Sequence, residues 1–105
     1  MVTAVIVNWN SGNLLRVCIE SLLVTAPAVD VLVVDNASTD DSLEAAGGFL
    51  QHIDVVRNSV NRGLAAAINQ GFAQTTSNYV LVLNPDIRIM PGAVETLTAF
   101  QQRQA

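Results

Sequence analysis

The chain contains no lysine. Its five basic residues are all arginine, set against nine acids, which leaves a net charge of −4 over 105 residues. Without a basic stripe the sequence offers no electrostatic footprint for a nucleic-acid backbone. Cysteine occurs once, at Cys18, so an internal disulfide is excluded and a reducing compartment is expected. Only 13% of the residues are charged and 5% aromatic, while half are apolar. That balance excludes a disordered chain and demands burial of most of it within one small domain, residues 1–105. No apolar run approaches the roughly 18 residues that a membrane span requires. The first residues enter an aliphatic run with no basic flank and no cleavage pattern, so a signal peptide is not expected.

What is present alternates. The stretches "TAVIVNWN" (3–10), "VDVLVVDNASTD" (29–40), "HIDVVRN" (52–58) and "YVLVL" (79–83) are short β-rich runs, most of them closed by a polar burst. Between them lie helical patterns. Leu15, Cys18, Ile19 and Leu22 share one face of a predicted helix over 11–24, with Ser11 as its cap. Ser38 with Asp41 three residues on resembles a capping box for a second helix, which Gly47 and Gly48 stop. A third helix, over 61–76, carries Leu64, Ile68 and Phe72 as one apolar stripe. After "NPDIRI", Pro91 opens a last helix marked by Val94, Leu97 and Phe100. This order predicts an α/β fold: a Rossmann-like, doubly wound, mostly parallel sheet ordered 3-2-1-4.

In such sheets ligands bind beyond the carboxyl ends of the strands. Three polar bursts share that edge: Asn8-Trp9-Asn10, Asp35-Asn36-Ala37-Ser38 and Asn84-Pro85-Asp86. Several nucleotide motifs are absent. There is no G-x-x-x-x-G-K-[ST], and no G-x-G-x-x-G follows the first strand. His52, the one histidine, is expected to open the third strand at the opposite end, away from any hydrolytic triad.

The remaining candidates are carboxylates, amides and one arginine. Pro85 stiffens the turn that presents Asp86, and one rigid aspartate suits a hard cation, Mg²⁺ or Mn²⁺, that completes its shell with water and phosphate. The competing reading of Asn84-Pro85-Asp86 is a plain turn. Asp35 would accept from a nucleobase imide or a ribose hydroxyl; otherwise it caps the next helix or bonds loop N–H groups. Arg62, beside the start of the third helix, would hold a diphosphate rather than be a solvated surface arginine. Arg88 is expected to pair with Asp86 rather than with phosphate. Trp9 is expected in the core rather than stacked on a base at the rim, Cys18 in the core, and Asn69 on a solvated face.

Together, "VIVNWNSGNLLRVCIESLL", "VLVVDNASTDDS", "NRGLAAAINQGF" and "YVLVLNPDIRIMPGAVETL" resemble the N-terminal half of an inverting family 2 glycosyltransferase of the GT-A fold. The "N-R-G…N-Q-G" and "L-N-P-D" forms are most similar to rhamnosyltransferase-like members. The resemblance implies a nucleotide-diphosphate sugar donor, TDP- or UDP-linked, and cell-surface polysaccharide synthesis. It implies that Asp35 contacts the base and that Val7, Asn8 and Asn10 line the nucleotide pocket beside Asn36. Arg62 would lie near the diphosphate, and Asn84 with Asp86 would form the D-x-D-type motif, Asp86 reaching the metal. Asn84 replaces the motif's first acid, which removes one charge. No residue here matches the general base that activates the acceptor hydroxyl, so this piece is expected to bind donor without efficient transfer and without binding the acceptor glycan. A truncated sheet exposes its fourth-strand edge, and a homodimer through that edge is expected. The implied location is cytoplasmic, peripheral to the inner membrane face. The alternative from another class is a non-catalytic α/β association module.

Overall fold

A computed structural model describes residues 2–85. Its elements run β1 (Val2–Asn8), α1 (Leu14–Thr25), β2 (Asp30–Asp35), α2 (Ser42–Ala45), a 3₁₀ turn (Gly47–His52), β3 (Asp54–Arg57), α3 (Leu64–Gln74) and β4 (Tyr79–Leu83). The four strands form one parallel sheet in the order β3-β2-β1-β4. The strand order and direction are those expected from the alternating pattern. Asp86, Arg88 and the helix expected from Pro91 onward lie outside the described residues.

The strands are aliphatic on both sides because both faces are covered. On one face Ala4, Ile6, Val31 and Val33 pack with Leu15, Cys18, Ile19 and Leu22 of α1 and with Leu43 and Ala46. On the other, Val5, Leu32 and Val34 pack with Ala67 of α3. The chain steps from β1 through β2 to β3, then crosses back to place β4 on the far side of β1. Right-handed crossovers require the helices to change face at that reversal. The reversal puts the topological switch between β1 and β4, the place where open α/β sheets bind ligands.

Several local expectations are corrected. Asn13, not Ser11, is the residue before α1, and it makes no side-chain capping bond. The Ser11 hydroxyl instead donates to Asn8 Oδ1. The capping box is not formed: α2 begins at Ser42, with Asp41 before it making no capping bond, and Ser38 is engaged by Asp35. The second helix does end, at Ala45, just before Gly47 and Gly48; those glycines then begin a 3₁₀ turn, which contains His52, so β3 opens at Asp54 and not at His52. Trp9 is 57% exposed rather than in the core.

The largest correction concerns α3. Its apolar stripe does not face the sheet: Leu64 is 58% exposed and Phe72 47%. Ala67 and Gly71 make the contact instead. Small residues let the helix axis approach β1 closely, and that gain in contact outweighs burial of the larger side chains at this position.

Candidate functional site at the carboxyl edge of the sheet

Register fixes what meets at the edge. Asn8, the last residue of β1, lies beside Asp35, the last of β2, and Ile6 lies beside Leu83 near the end of β4. The stretch that begins at Asn84 therefore leaves the same lip of the sheet as Asp35. The β1–β2 and β2–β3 pairings continue one residue into the loops, through Asn36 N–H to Asn8 O at 2.8 Å and Asn58 N–H to Asp35 O at 2.9 Å.

Asn8 is fully buried, and its amide organises the lip. Its Nδ2 donates to Asp35 Oδ1 and to Ser42 Oγ, both at 2.9 Å, and lies 3.2 Å from Ser38 Oγ. Asp35, 7% exposed, also accepts from Ser38 Oγ at 2.8 Å on Oδ1 and from Ser38 N–H at 3.3 Å on Oδ2. Asp35 thus does hold its own loop, as the local reading expected. The rim also carries two positive backbone φ angles away from glycine, 50° at Asn10 and 63° at Ala37. For Ala37 that conformation is strained, and hydrogen bonds on both flanking residues hold it.

A second layer ties the first two loops together. Asn10 Oδ1 accepts from Thr39 N–H at 2.7 Å and Asp40 N–H at 3.2 Å. Asp40 accepts from Ser42 Oγ at 2.6 Å, Ser42 N–H at 3.1 Å and Gly12 N–H at 2.9 Å. The Ser42 hydroxyl, followed by these backbone donors, holds the Asp40 carboxyl below its usual range.

Asn36 is 2% exposed, and its amide reaches the third loop. Its Oδ1 accepts from Arg62 N–H at 2.8 Å and Asn58 Nδ2 at 3.2 Å, and its Nδ2 donates to Gly63 O at 3.1 Å. These bonds bring the start of α3, and Arg62 with it, to the same edge. Arg62 is exposed there, and Gly63, with φ of 81°, makes the turn into the helix.

Of the sequence-derived candidates, the structure brings Asn8, Asn10, Asp35, Asn36 and Arg62 to one edge, with Val7 on β1 below them and Asn84 at the end of β4. Asp86 lies outside the described residues. Among the described residues, no group of three or more His, Cys, Asp or Glu is arranged to hold a metal ion. Ser38, Asp40, Ser42, Asn58 and Gln70 belong to the network and were not singled out as site residues by the sequence. Their one signal is the density of Asn, Ser and Asp just after the strands. A separate cavity of about 590 Å³ opens at the amino edge, lined by Asp30, Asp54, Thr75, Thr76 and Ser77 among others. Asp30 and Asp54 are exposed, and the cavity lies at the opposite end of the strands from Asp35.

Comparison with known proteins places this edge in context. Residues 3–105 match the description "Glycosyl transferase family 2". The chain is 33% identical over 92 residues to the uncharacterized glycosyltransferase YibD of Escherichia coli (strain K12), covering 85% of this chain and 27% of that protein. It is 30% identical over 105 residues to the N-acetylglucosaminyl-diphospho-decaprenol L-rhamnosyltransferase of Mycobacterium tuberculosis (strain H37Rv), covering 89% of this chain and 34% of that protein. Among solved structures, S. aureus TarS 1-349 in complex with UDP-GlcNAc superposes with a TM-score of 0.84 at 21% identity, over 97% of this chain and 31% of that one. The mannosyltransferase PcManGT from Pyrobaculum calidifontis, in complex with GDP-Man and Mn²⁺, gives 0.76 at 23% identity, over 83% of this chain and 28% of that one. The chain thus spans about a third or less of the length of each of these proteins.

Proposed function

The chain belongs to glycosyl transferase family 2 and has the sheet of a GT-A fold; from that membership we propose that it is the donor-binding part of an inverting glycosyltransferase. The donor is a nucleoside diphosphate sugar, TDP- or UDP-linked, and the product is a cell-surface polysaccharide. The observation that carries the proposal is the placement of Asp35. A carboxylate is held by a buried amide at the carboxyl lip, on the strand next to β1, which borders the switch point.

Each candidate then has a role that its position permits. Asp35 accepts from the base. The backbone of Val7, Asn8 and Asn10 forms the floor and wall of the nucleotide pocket. Asn36 shapes the same pocket from the β2 loop. Arg62 and the N-terminus of α3 face the diphosphate, where a cation and free N–H groups act together. The described residues do not make a metal site by themselves. A divalent cation, Mg²⁺ or Mn²⁺, would need Asp86 together with Asn84 and the donor's own phosphate oxygens. Such a cation would neutralise charge on the departing diphosphate.

Inverting transfer also needs a base within hydrogen-bond reach of the acceptor hydroxyl. We assign that base and the acceptor site to parts of a longer protein, and expect these 105 residues alone to bind donor without efficient transfer. No helix among the described residues is long and apolar enough to cross a membrane. The proposal includes work at the cytoplasmic membrane face and a homodimer through the β4 edge.

Melting temperature with UDP, TDP and GDP, each with and without Mn²⁺, tests the reading. A ligand at about 100 times its dissociation constant stabilises by roughly 2.7 kcal/mol. For a domain this small that is on the order of ten degrees. Asp86→Ala should remove the metal-dependent part of the shift. Asp35→Asn, which keeps an acceptor for Asn8, should weaken every nucleotide with or without metal. A flat response to all three nucleotides would end the reading and leave the association module.

A further inference from the structure

Three carboxamides far apart in the chain form a continuous relay. Gln70 and Asn58 exchange two bonds, Gln70 Nε2 to Asn58 Oδ1 and Asn58 Nδ2 to Gln70 Oε1, both at 2.8 Å. Asn58 Nδ2 also donates to Asn36 Oδ1 at 3.2 Å. Asn36 in turn takes the Arg62 N–H at 2.8 Å and gives a bond to Gly63 O at 3.1 Å. Every proton on Asn58 Nδ2 is therefore assigned, and the amide directions agree along the whole chain of bonds. Asn36 and Asn58 are buried, and Gln70 is half-buried in the body of α3.

We propose that Asn36, Asn58 and Gln70 are positioning residues that set the Arg62–Gly63 backbone at the carboxyl lip and so fix affinity for the diphosphate of the donor. This inference rests on the donor-binding reading above. It differs from it in assigning a role to Gln70, which lies about two turns along the chain from Arg62 and has no part in the donor-binding reading. The physical argument is one of alternatives. The third loop, from Asn58 to Gly63, carries five exposed residues in succession, Ser59, Val60, Asn61, Arg62 and Gly63, so apolar burial does not hold it. What anchors it is the pairing of Asn58 N–H with Asp35 O and the amide bonds to Asn36. Asn36 Oδ1 serves two donors at once. If Asn58 swings free, the Asn36 side chain is bonded only to the loop it positions, through Arg62 N–H and Gly63 O, and amide and loop can shift together. Reciprocal bonding to Gln70 removes that freedom. A guanidinium held by a loop of one conformation binds a diphosphate without an ordering cost that a mobile loop would incur.

The test is a double-mutant cycle on the protein. Dissociation constants are measured by calorimetry for whichever of UDP, TDP and GDP binds, and for the matching nucleoside. Gln70→Ala keeps a helix-favouring residue on α3 and should leave the fold intact. It should weaken the nucleoside diphosphate about three- to tenfold, the equilibrium equivalent of one neutral hydrogen bond, and leave the nucleoside unchanged. In an Arg62→Ala background the same change should have no further effect. An equal loss in both backgrounds, or an equal loss for nucleoside and diphosphate, would show a merely structural role and overturn the proposal. Amide hydrogen exchange gives a readout independent of nucleotide. The Arg62 N–H should exchange faster in Gln70→Ala and in Asn36→Ala, while the N–H groups of β1 do not. If no nucleotide binds the wild-type protein, the donor reading fails. The relay then stands or falls on the Arg62 exchange rate alone, and no change there refutes it.

Discussion

No side chain fits between Gly71 and Val5: a β-carbon on Gly71 would stand 2.5 Å from Val5 Cγ1 and 3.0 Å from Cγ2. Val5 is fully buried in the middle of β1, so it has no free direction in which to move. Glycine is ordinarily unfavourable inside a helix, by about 1 kcal/mol relative to alanine. Here the relation reverses. Gly71→Ala should destabilise the protein by about 1–3 kcal/mol, the usual cost of overpacking a core. Adding Val5→Ala should recover part of that loss, because it removes the methyl groups in conflict. Urea midpoints of the two single variants and the double variant check this; simple additivity would contradict it.

The Asn8 amide should matter to folding before it matters to any ligand. Asn8→Ala leaves the Asp35 carboxylate and the hydroxyls of Ser11 and Ser42 short of a partner at a buried position. The expected loss is about 2–3 kcal/mol. Asn8→Asp should cost more, because it sets a second carboxylate against Asp35 where an N–H donor now sits 2.9 Å away. Denaturant midpoints should fall in the order wild type, Asn8→Ala, Asn8→Asp. The opposite order of the two variants would show that Asn8 is not a donor hub.

The sheet was readable in the sequence because its signals are local. Each strand is an aliphatic run, and two of the three bursts assigned to the carboxyl edge fall within the described residues at that edge. The strand order followed from alternation and handedness. What was not readable depends on distances between segments. The sequence pattern of α3 favours a Leu64–Ile68–Phe72 face, and only the approach of β1 shows that Ala67 and Gly71 must take it. Ser38 and Asp41 have capping-box spacing, yet Asp35 and Asn8 compete for Ser38 and win, because a buried carboxylate needs the hydroxyl more than an exposed helix end does. Asn36, Asn58 and Gln70 carry no shared motif. Their role arises only when β2, the third loop and α3 are placed side by side.

Acid should probe the tie between the first two loops. Hydrogen bonds from Ser42 and Gly12 favour the ionised form of Asp40 in the folded protein, lowering its pKa. A carboxyl lowered on folding contributes stability above its unfolded pKa, near 3.9, and loses it as pH falls through the folded value. The difference in stability between wild type and Asp40→Asn should therefore be present at neutral pH and close below about pH 4. Thermal melts of both proteins from pH 7 to pH 3 follow this; a gap that persists unchanged into acid would show that charge on Asp40 is not the source.

Thr3 offers a control at the far end of the same strand. Its hydroxyl bonds the hydroxyls of Thr75 at 2.9 Å and Ser77 at 2.6 Å, which pins the segment between α3 and β4 to the amino end of β1. Thr3→Val keeps the shape and deletes the hydroxyl. Thr75 Oγ still accepts from Ser77 N–H at 3.1 Å, so the segment is not left without order. The expected loss is about 1 kcal/mol. Five steps along the strand, about 17 Å, separate Thr3 from Asn8, and the change touches neither the lip nor the amide relay. Nucleotide affinity, measured well below the melting temperature, should stay within twofold of wild type. A large loss of affinity in Thr3→Val would mean that general destabilisation alone weakens the site, and the selective effects expected for Gln70 and Asp35 would then lose their meaning.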